Sequence, residues 1–248
     1  LTKLNASTML NGWIYCMFVH DNGDIYVGGH GLPTTTPKAY CQISDKGNDQ
    51  GFISRFNNDL TTLKSSTLLP GSFHSNGGEI CALNLTQSAD GNIISAGWAS
   101  PKNFPVTPGA FDETQNGGND TYILKMDKDL TAVLSSTFVG GSKNERWNRM
   151  VTDKKGNIYL TSYTGSSDFP TSTGSAFDKF NGGTTDGFVI KMNSNLLAEV
   201  DDVFHNAAKK DNLKLIKQLL SDNSSMLEKI DKYKRTALHS AARFGGVE

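Results

Sequence analysis

The sequence predicts a mainly β fold of repeated four-stranded units, followed by a short α-helical segment. Three segments of the chain match one another: residues 21–30 (DNGDIYVGGH), 89–98 (ADGNIISAGW) and 154–163 (KKGNIYLTSY). Equivalent positions in these segments lie 68 and 65 residues apart, and a regular spacing of this size indicates a repeat architecture. Beyond about residue 200 the β-rich pattern ends and apolar residues recur at helical spacing.

Each repeat carries further blocks that recur in the same order. The second block is LPTTTPKAY at 32–40, FPVTPGAF at 104–111 and FPTSTGSAF at 169–177; the third is GFISRF at 51–56, TYILKM at 121–126 and GFVIKM at 187–192; the fourth is LKSSTLLPG at 63–71 and VLSSTFVGG at 133–141. Runs such as TYILKM are short, rich in β-branched and aromatic residues and bounded by turn-forming residues, which predicts strands. In the second repeat we expect four of them, near residues 79–85, 92–98, 121–126 and 133–138.

Four short antiparallel strands in a unit of roughly 65 residues are the simplest form of a propeller blade. The predicted fold is therefore a partial β-propeller of about three four-stranded blades over residues 1–200, with blades at about 11–72, 79–142 and 147–200. Natural propellers have about four to eight blades, so three do not close a ring without strain. We therefore expect a fragment of a longer chain or an open stack, and the open blade edges of such a stack favour self-association.

Composition excludes several classes of protein. The 248 residues carry a formal net charge of −1, so the charge favours neither nucleic acid nor an anionic membrane as a partner. No apolar run approaches the roughly 20 residues of a membrane-spanning helix. The three cysteines, Cys16, Cys41 and Cys81, follow neither zinc-site nor disulfide-framework spacing and are interpreted as free thiols.

The string from residue 156 to residue 192, GNIYLTSYTGSSDFPTSTGSAFDKFNGGTTDGFVIKM, resembles the bacterial SBBP-type β-propeller repeat. The pattern of that family is a GN-x-YVTG-x-T strand, an S-x-DFPTTPGAF loop, a GG-x-DAFV-x-K strand and an STYLGG strand, and each is recognisable within about residues 1–200. The first copy departs most, because it has Leu32-Pro33 in place of Phe-Pro and lacks the Gly-Gly pair. The resemblance implies a propeller in a larger protein and no particular chemistry.

The segment at about 201–248 resembles ankyrin repeats. Residues 236–245 (TALHSAARFG) follow the T-P-L-H-x-A-A-x-x-G signature of that family, and residues 204–208 (FHNAA) match the same place one unit earlier. The offset from His205 to His239 is 34 residues, against about 33 for the family. The resemblance implies an ankyrin-like α-helical segment that holds one full repeat and the start of a second.

The candidate ligand-binding residues are the aromatic side chains that follow the second predicted strand of each blade: His30, Trp98 and Tyr163. Equivalent positions lie at the same end of each blade, so these rings can line a rim that stacks sugar rings or peptide side chains. Packing between the blades is the other interpretation, and we favour it because aromatic residues commonly fill that space.

No catalytic residue, cofactor or metal site is predicted. The acidic turns at 21–24, 90–92 and 153–157 have the oxygen ligands that calcium prefers, but they lack the full spacing of a calcium loop and fit hairpin turns. The histidines lack metal-ligand spacing, and the nucleophile elbow and the phosphate-binding loop are both absent.

The function expected from these observations is that of a non-catalytic repeat scaffold for protein–protein interaction. Binding of carbohydrate or a cell-surface polymer by the propeller rim is one alternative. The other is a fragment of a propeller enzyme whose active site lies in missing blades. The compartment stays open, because the propeller resemblance suggests a secreted or cell-surface bacterial protein and the ankyrin resemblance suggests an intracellular one. All of these functional expectations rest on analogy of fold.

Overall fold

The computed structural model describes residues 4–43, 50–69, 81–100, 104–172 and 183–196. Eleven strands lie within these ranges: β1 (Gly12–Val19), β2 (Ile25–Gly31), β3 (Gln50–Phe56), β4 (Leu63–Leu68), β5 (Cys81–Gln87), β6 (Ile93–Ala99), β7 (Asp120–Met126), β8 (Val133–Val139), β9 (Glu145–Thr152), β10 (Ile158–Thr164) and β11 (Asp186–Met192). The four strands predicted for the second repeat are confirmed to within two residues at each end.

The strands form three antiparallel sheets in sequence order. Sheet 1 has the order β1-β2-β3-β4, sheet 2 the order β5-β6-β7-β8, and sheet 3 the order β9-β10-β11. Sheet 2 lies between the other two, and the three described sheets do not close into a ring.

The predicted fold class requires correction. It combined three four-stranded units with a helical segment, whereas the described part of the chain is entirely β and loop, and sheet 3 has three strands there. The predicted ankyrin-like segment at 201–248 lies outside the described residues, as do residues 197–200 at the end of the third predicted blade. That prediction rests on helical spacing of apolar residues and on a signature match of about one repeat, and a short helical segment is weakly specified without packing partners.

Sheets 1 and 2 share the larger apolar core. Directly opposed residues point to the same side of a sheet, so the strand registers assign each side chain to a face. Phe18, Tyr26 and Ile53 lie on one face of sheet 1, which we call the rear face, and pack against Leu85 and Tyr122 of sheet 2. The face of sheet 2 that carries Leu85 and Tyr122 is its front face, and the other sheets are named in the same way. The rear face of sheet 2 packs in turn on the front face of sheet 3. Each sheet thus buries one face on the next sheet along the chain.

The turn after the third strand of each sheet carries a leucine in the left-handed conformation. Leu60, Leu130 and Leu196 have φ values of 60°, 59° and 57°. This conformation is unfavourable for a leucine and persists only where the surroundings stabilise it. Leu130 is fully buried in the core between sheets 1 and 2, and Leu196 is fully buried between sheets 2 and 3. Leu60, whose sheet is the first within the described residues, is half-buried.

The loop after the second strand covers the outer edge of its own sheet. The backbone N–H of Thr36 donates to the carbonyl of Ser66 in β4 at 3.1 Å, and that of Thr107 donates to Ser136 in β8 at 3.2 Å. Pairing of this kind covers an edge strand that would otherwise aggregate. The loop then reaches the next sheet, since the N–H of Tyr40 donates to the carbonyl of Leu130 at 3.0 Å. The recurring second sequence block therefore covers the edge strand of its own sheet and binds the following sheet.

We expect Leu130→Ala to lower the free energy of unfolding by about 2–5 kcal/mol, because it opens a cavity between sheets 1 and 2. Leu60→Ala is the matched control, since Leu60 occupies the same turn position with the same φ but is half-buried. Urea unfolding of both variants in dilute solution measures the difference. Equal losses of stability would show that the leucine acts within its own turn and does not join the sheets.

Candidate functional site

The three predicted ligand-binding residues occupy equivalent positions in the structure. Each is the penultimate residue of the second strand of its sheet: His30 in β2, Trp98 in β6 and Tyr163 in β10. Each projects from the rear face of its own sheet, because it lies at even spacing from Tyr26, Ile94 or Tyr159 on that face. They are therefore separated by intervening sheets and do not form one continuous surface.

Trp98 lies in the packing layer between sheets 2 and 3. It is 4% exposed, and its ring lies 4.9 Å from that of Trp147, at 60° to it. His30 and Tyr163 are half-buried. Ring stacking with a ligand requires an open ring face, and at this junction the exposed aromatic residue is Trp147, in β9.

Trp147 is a surface residue that sequence analysis missed. Its side chain is 59% exposed, and its φ of 61° lies in the left-handed region. It belongs to a bulge in β9, where the register shifts opposite residues 161–163 of β10. A bulge changes the face to which the following side chains point, so strand alternation gives the wrong orientation here. The neighbouring bulge residue, Asn148, is fully buried and donates to the carbonyl of Gly97 at 2.7 Å.

Strand β1 has the most extensive exposed apolar surface of the described residues. Five large apolar side chains in one strand are exposed: Trp13 (70%), Ile14 (51%), Tyr15 (47%), Met17 (60%) and Val19 (63%). The equivalent strand of sheet 2, β5, has Ala82 and Leu85 buried under sheet 1. By the strand register, Ile14, Met17 and Val19 lie on the front face, the face that sheet 2 buries under sheet 1. Trp13, opposite His30, lies on the rear face, and Tyr15 lies in the bulge between Ile14 and Cys16.

A buried charge cluster lies on the other side of sheet 1, at its boundary with sheet 2. Asp24 is 3% exposed and forms ion pairs with Arg55 at 2.5 Å and Lys64 at 2.6 Å. Burial favours the neutral carboxyl, but the hydrogen bonds from Lys64 and Arg55 outweigh it and hold the pKa of Asp24 below its ordinary value. Arg55 also reaches sheet 2 and pairs with Asp129 at 2.5 Å. The cluster ties the two sheets together.

An open cleft of about 450 Å³ lies where the loops of sheets 2 and 3 meet. Its lining consists of Phe111, Asp112, Asn116, Gly140, Gly141, Ser142, Asp168 and Pro170. Behind the glycines, Glu145 is fully buried and accepts hydrogen bonds from the hydroxyls of Thr164 and Ser166. Asp120 is also fully buried, and a Cβ on Gly140 would meet both carboxyl groups.

Burial raises the pKa of Asp120 to about 7, and the nearby carboxylates of Glu145 and Asp112 act in the same direction. The N–H of Asn116 donates to Asp120 at 2.7 Å and opposes the shift. A carboxyl that titrates near neutrality can move protons. Here, however, Asp120 and Glu145 accept hydrogen bonds from amide and hydroxyl groups near the ends of β7, β9 and β10. The two carboxyl groups therefore belong to a structural hydrogen-bond network at the floor of the cleft.

The described ranges contain no group of three or more His, Cys, Asp and Glu side chains arranged to hold a metal ion. The acidic turns use their carboxylates locally: Asp153 accepts the N–H groups of Lys155 and Asn157, both at 2.9 Å.

Among the described residues, no helix has the length and apolar character needed to cross a membrane.

No protein-family model matches the chain, and no curated protein matches it. The SBBP and ankyrin resemblances therefore stay predictions from the sequence.

We expect Asp120→Asn to change how stability depends on pH. The pKa of an unfolded aspartate is about 3.9, so the folded protein binds the proton more tightly than the unfolded chain. The stability that this gives is complete below about pH 4 and is lost as the pH rises to about 7. Relative to the native chain, the variant should gain on the order of 2 kcal/mol between pH 5 and pH 8. Thermal unfolding across this range measures it.

Glu113→Gln serves as the control, because it removes an exposed carboxylate from the neighbouring loop. Parallel pH profiles for Asp120→Asn and the native chain would contradict the assignment of the raised pKa to Asp120.

Proposed function

We propose that this chain is a non-catalytic scaffold that binds a protein partner through the exposed face of strand β1. The observation that supports the proposal is the row of five exposed large apolar side chains along that strand. Scattered apolar residues are normal on a protein surface, but a contiguous apolar patch is typical of an interaction site. The repeat itself indicates what such a face does, because the same face of sheet 2 is buried against another sheet.

The composition of the face suits a polypeptide partner. Strand β1 (GWIYCMFV) has no charged residue, and its exposed Trp, Tyr and Met residues are types enriched in the cores of protein interfaces. The strand is also the edge of its sheet. An edge strand offers backbone N–H and C=O groups to an added strand, while its side chains supply specificity.

A photo-reactive phenylalanine at Met17 tests the proposal. With the partner bound, we expect a discrete and saturable covalent adduct with a polypeptide, because Met17 is 60% exposed in the centre of the face. The same label at Lys143, an exposed loop position near sheet 3, is the matched control. Mass spectrometry identifies the adduct. Equal labelling from both positions, or no polypeptide adduct from position 17, would reject the β1 face.

Carbohydrate binding is a second candidate, and the exposure of Trp147 favours it. A tryptophan that is 59% exposed beside a buried tryptophan offers one rigid ring face of the kind that stacks on a sugar. This candidate uses sheet 3, whereas the first uses sheet 1.

Glycan-array binding distinguishes the two candidates. If sugars bind at Trp147, Trp147→Ala should abolish the signal and Trp13→Ala, an equally large truncation in β1, should leave it unchanged. Loss of the signal in the Trp13 variant alone would move the sugar site to sheet 1, and the absence of any glycan signal from the native chain would remove this candidate.

A further inference from the structure

We infer that the partner of the β1 face is a second copy of this chain, which docks the rear face of its sheet 3 on the front face of sheet 1, with Lys191 of one copy against Asp59 of the other. The inference rests on the proposed function and names its partner. It is carried by a comparison between the two open faces and the closed junction between sheets 1 and 2.

The junction between sheets 1 and 2 supplies the template. On the rear face of sheet 1, Arg55 lies over the ring of Tyr26, with its guanidinium carbon 5.7 Å from the ring centre. This pair holds the β7–β8 turn of sheet 2, because the Tyr26 hydroxyl donates to the carbonyl of Lys128 at 2.6 Å and Arg55 pairs with Asp129 at 2.5 Å. Leu130, the next residue of the turn, is fully buried at the junction.

The open rear face of sheet 3 has the same pair. Tyr159 lies opposite Lys191 across β10 and β11, as Tyr26 lies opposite Arg55 across β2 and β3. The ammonium of Lys191 lies 5.5 Å from the Tyr159 ring centre. Among the described residues nothing covers this face, and the apolar side chains beside the pair are exposed: Val151 at 64% and Val189 at 77%.

The front face of sheet 1 is exposed along β1 and at the β3–β4 turn, and this turn has the residues that the Tyr159–Lys191 pair would contact. The β3–β4 turn places Asp59 where the β7–β8 turn has Asp129, one residue before its left-handed leucine. The N–H of Leu60 donates to the carbonyl of Asn57 at 3.1 Å, and the N–H of Leu130 donates to that of Asp127 at 3.0 Å. The middle of this face is already buried within the chain, where Val27, Phe52 and Phe56 form a core cluster against which Leu10 packs. The β1 side chains on this face and Asp59 in the turn stay exposed.

The charges of the two exposed surfaces are complementary. Lys191 brings the positive charge that Arg55 supplies at the internal junction, and Asp59 brings the negative charge of Asp129. An apolar residue also recurs at the equivalent position, because Val151 in β9 lies opposite Tyr159 as Phe18 in β1 lies opposite Tyr26. Since the two faces differ, the contact is head-to-tail: two copies joined at both faces close on themselves, and a single shared junction gives an open assembly.

Light scattering and sedimentation of the whole chain test the inference with charge reversals. The native chain should be an assembly of two or more copies, and Lys191→Glu and Asp59→Lys should each weaken association at least tenfold. A one-to-one mixture of the two variants should restore the native mass, because each junction in a mixed assembly then joins opposite charges. Lys143→Glu reverses a charge outside both faces and should associate like the native chain.

Several outcomes would overturn the inference. A native chain that stays monomeric up to about 1 mM, where even weak association is visible, excludes the second copy. Normal association of both single variants, or a mixture that fails to recover, excludes this pairing of faces. The photo-reactive label at position 17 separates this failure from that of the proposed function. A monomeric chain that forms an adduct with a different polypeptide contradicts only the second-copy inference, and one that forms no adduct contradicts both.

Discussion

Burial of one sheet face on the next is the constraint on which the rest of this structure depends. A single sheet of three or four short strands cannot remove enough apolar surface from water to offset the ordering of its chain. The repeat solves this by making both faces apolar, so that the rear face of each sheet fits the front face of its successor. Strands β6 and β7 of the middle sheet, which has a neighbour on both sides, are buried along their whole length. In sheet 1, strand β3 is also buried along its whole length, with a core cluster that includes Leu10 on its front face.

Specific contacts position the sheets that this burial brings together. The left-handed leucines Leu130 and Leu196 insert into the junction with the preceding sheet. The loop before the third strand of that preceding sheet donates a backbone hydrogen bond to the same leucine. At the first junction, the charge cluster of Asp24 and Arg55 adds an ion pair to Asp129. An aromatic residue also packs the loop after the second strand on its own sheet. The ring centres of Phe104 and Tyr122 lie 4.5 Å apart, and those of Phe169 and Phe188 lie 4.2 Å apart. These contacts explain why four sequence blocks recur in a fixed order.

The same architecture accounts for the candidate binding surfaces. A stack that repeats both halves of a junction leaves apolar side chains exposed at its two ends, and among the described residues these lie along β1 of sheet 1 and on the rear of sheet 3. The proposed protein-binding face and the proposed second copy both follow from these exposed side chains. Trp147 is different, since it is exposed at the bulge of β9, at the place where the register also shifts in β1 and β5.

Local sequence was sufficient to predict the strands and the repeat, because alternation of apolar residues and turn chemistry act over a few neighbouring positions. It failed where a side chain depends on residues far along the chain. Trp98 is buried by a strand that lies some 50 positions further on, and Asp120 has a raised pKa because a distant loop and Glu145 enclose it. Helical spacing suggested a fold class that the described residues do not have. Which faces are buried, and which stay open for a partner, is set by packing between sheets, and packing between sheets joins residues that no local pattern connects.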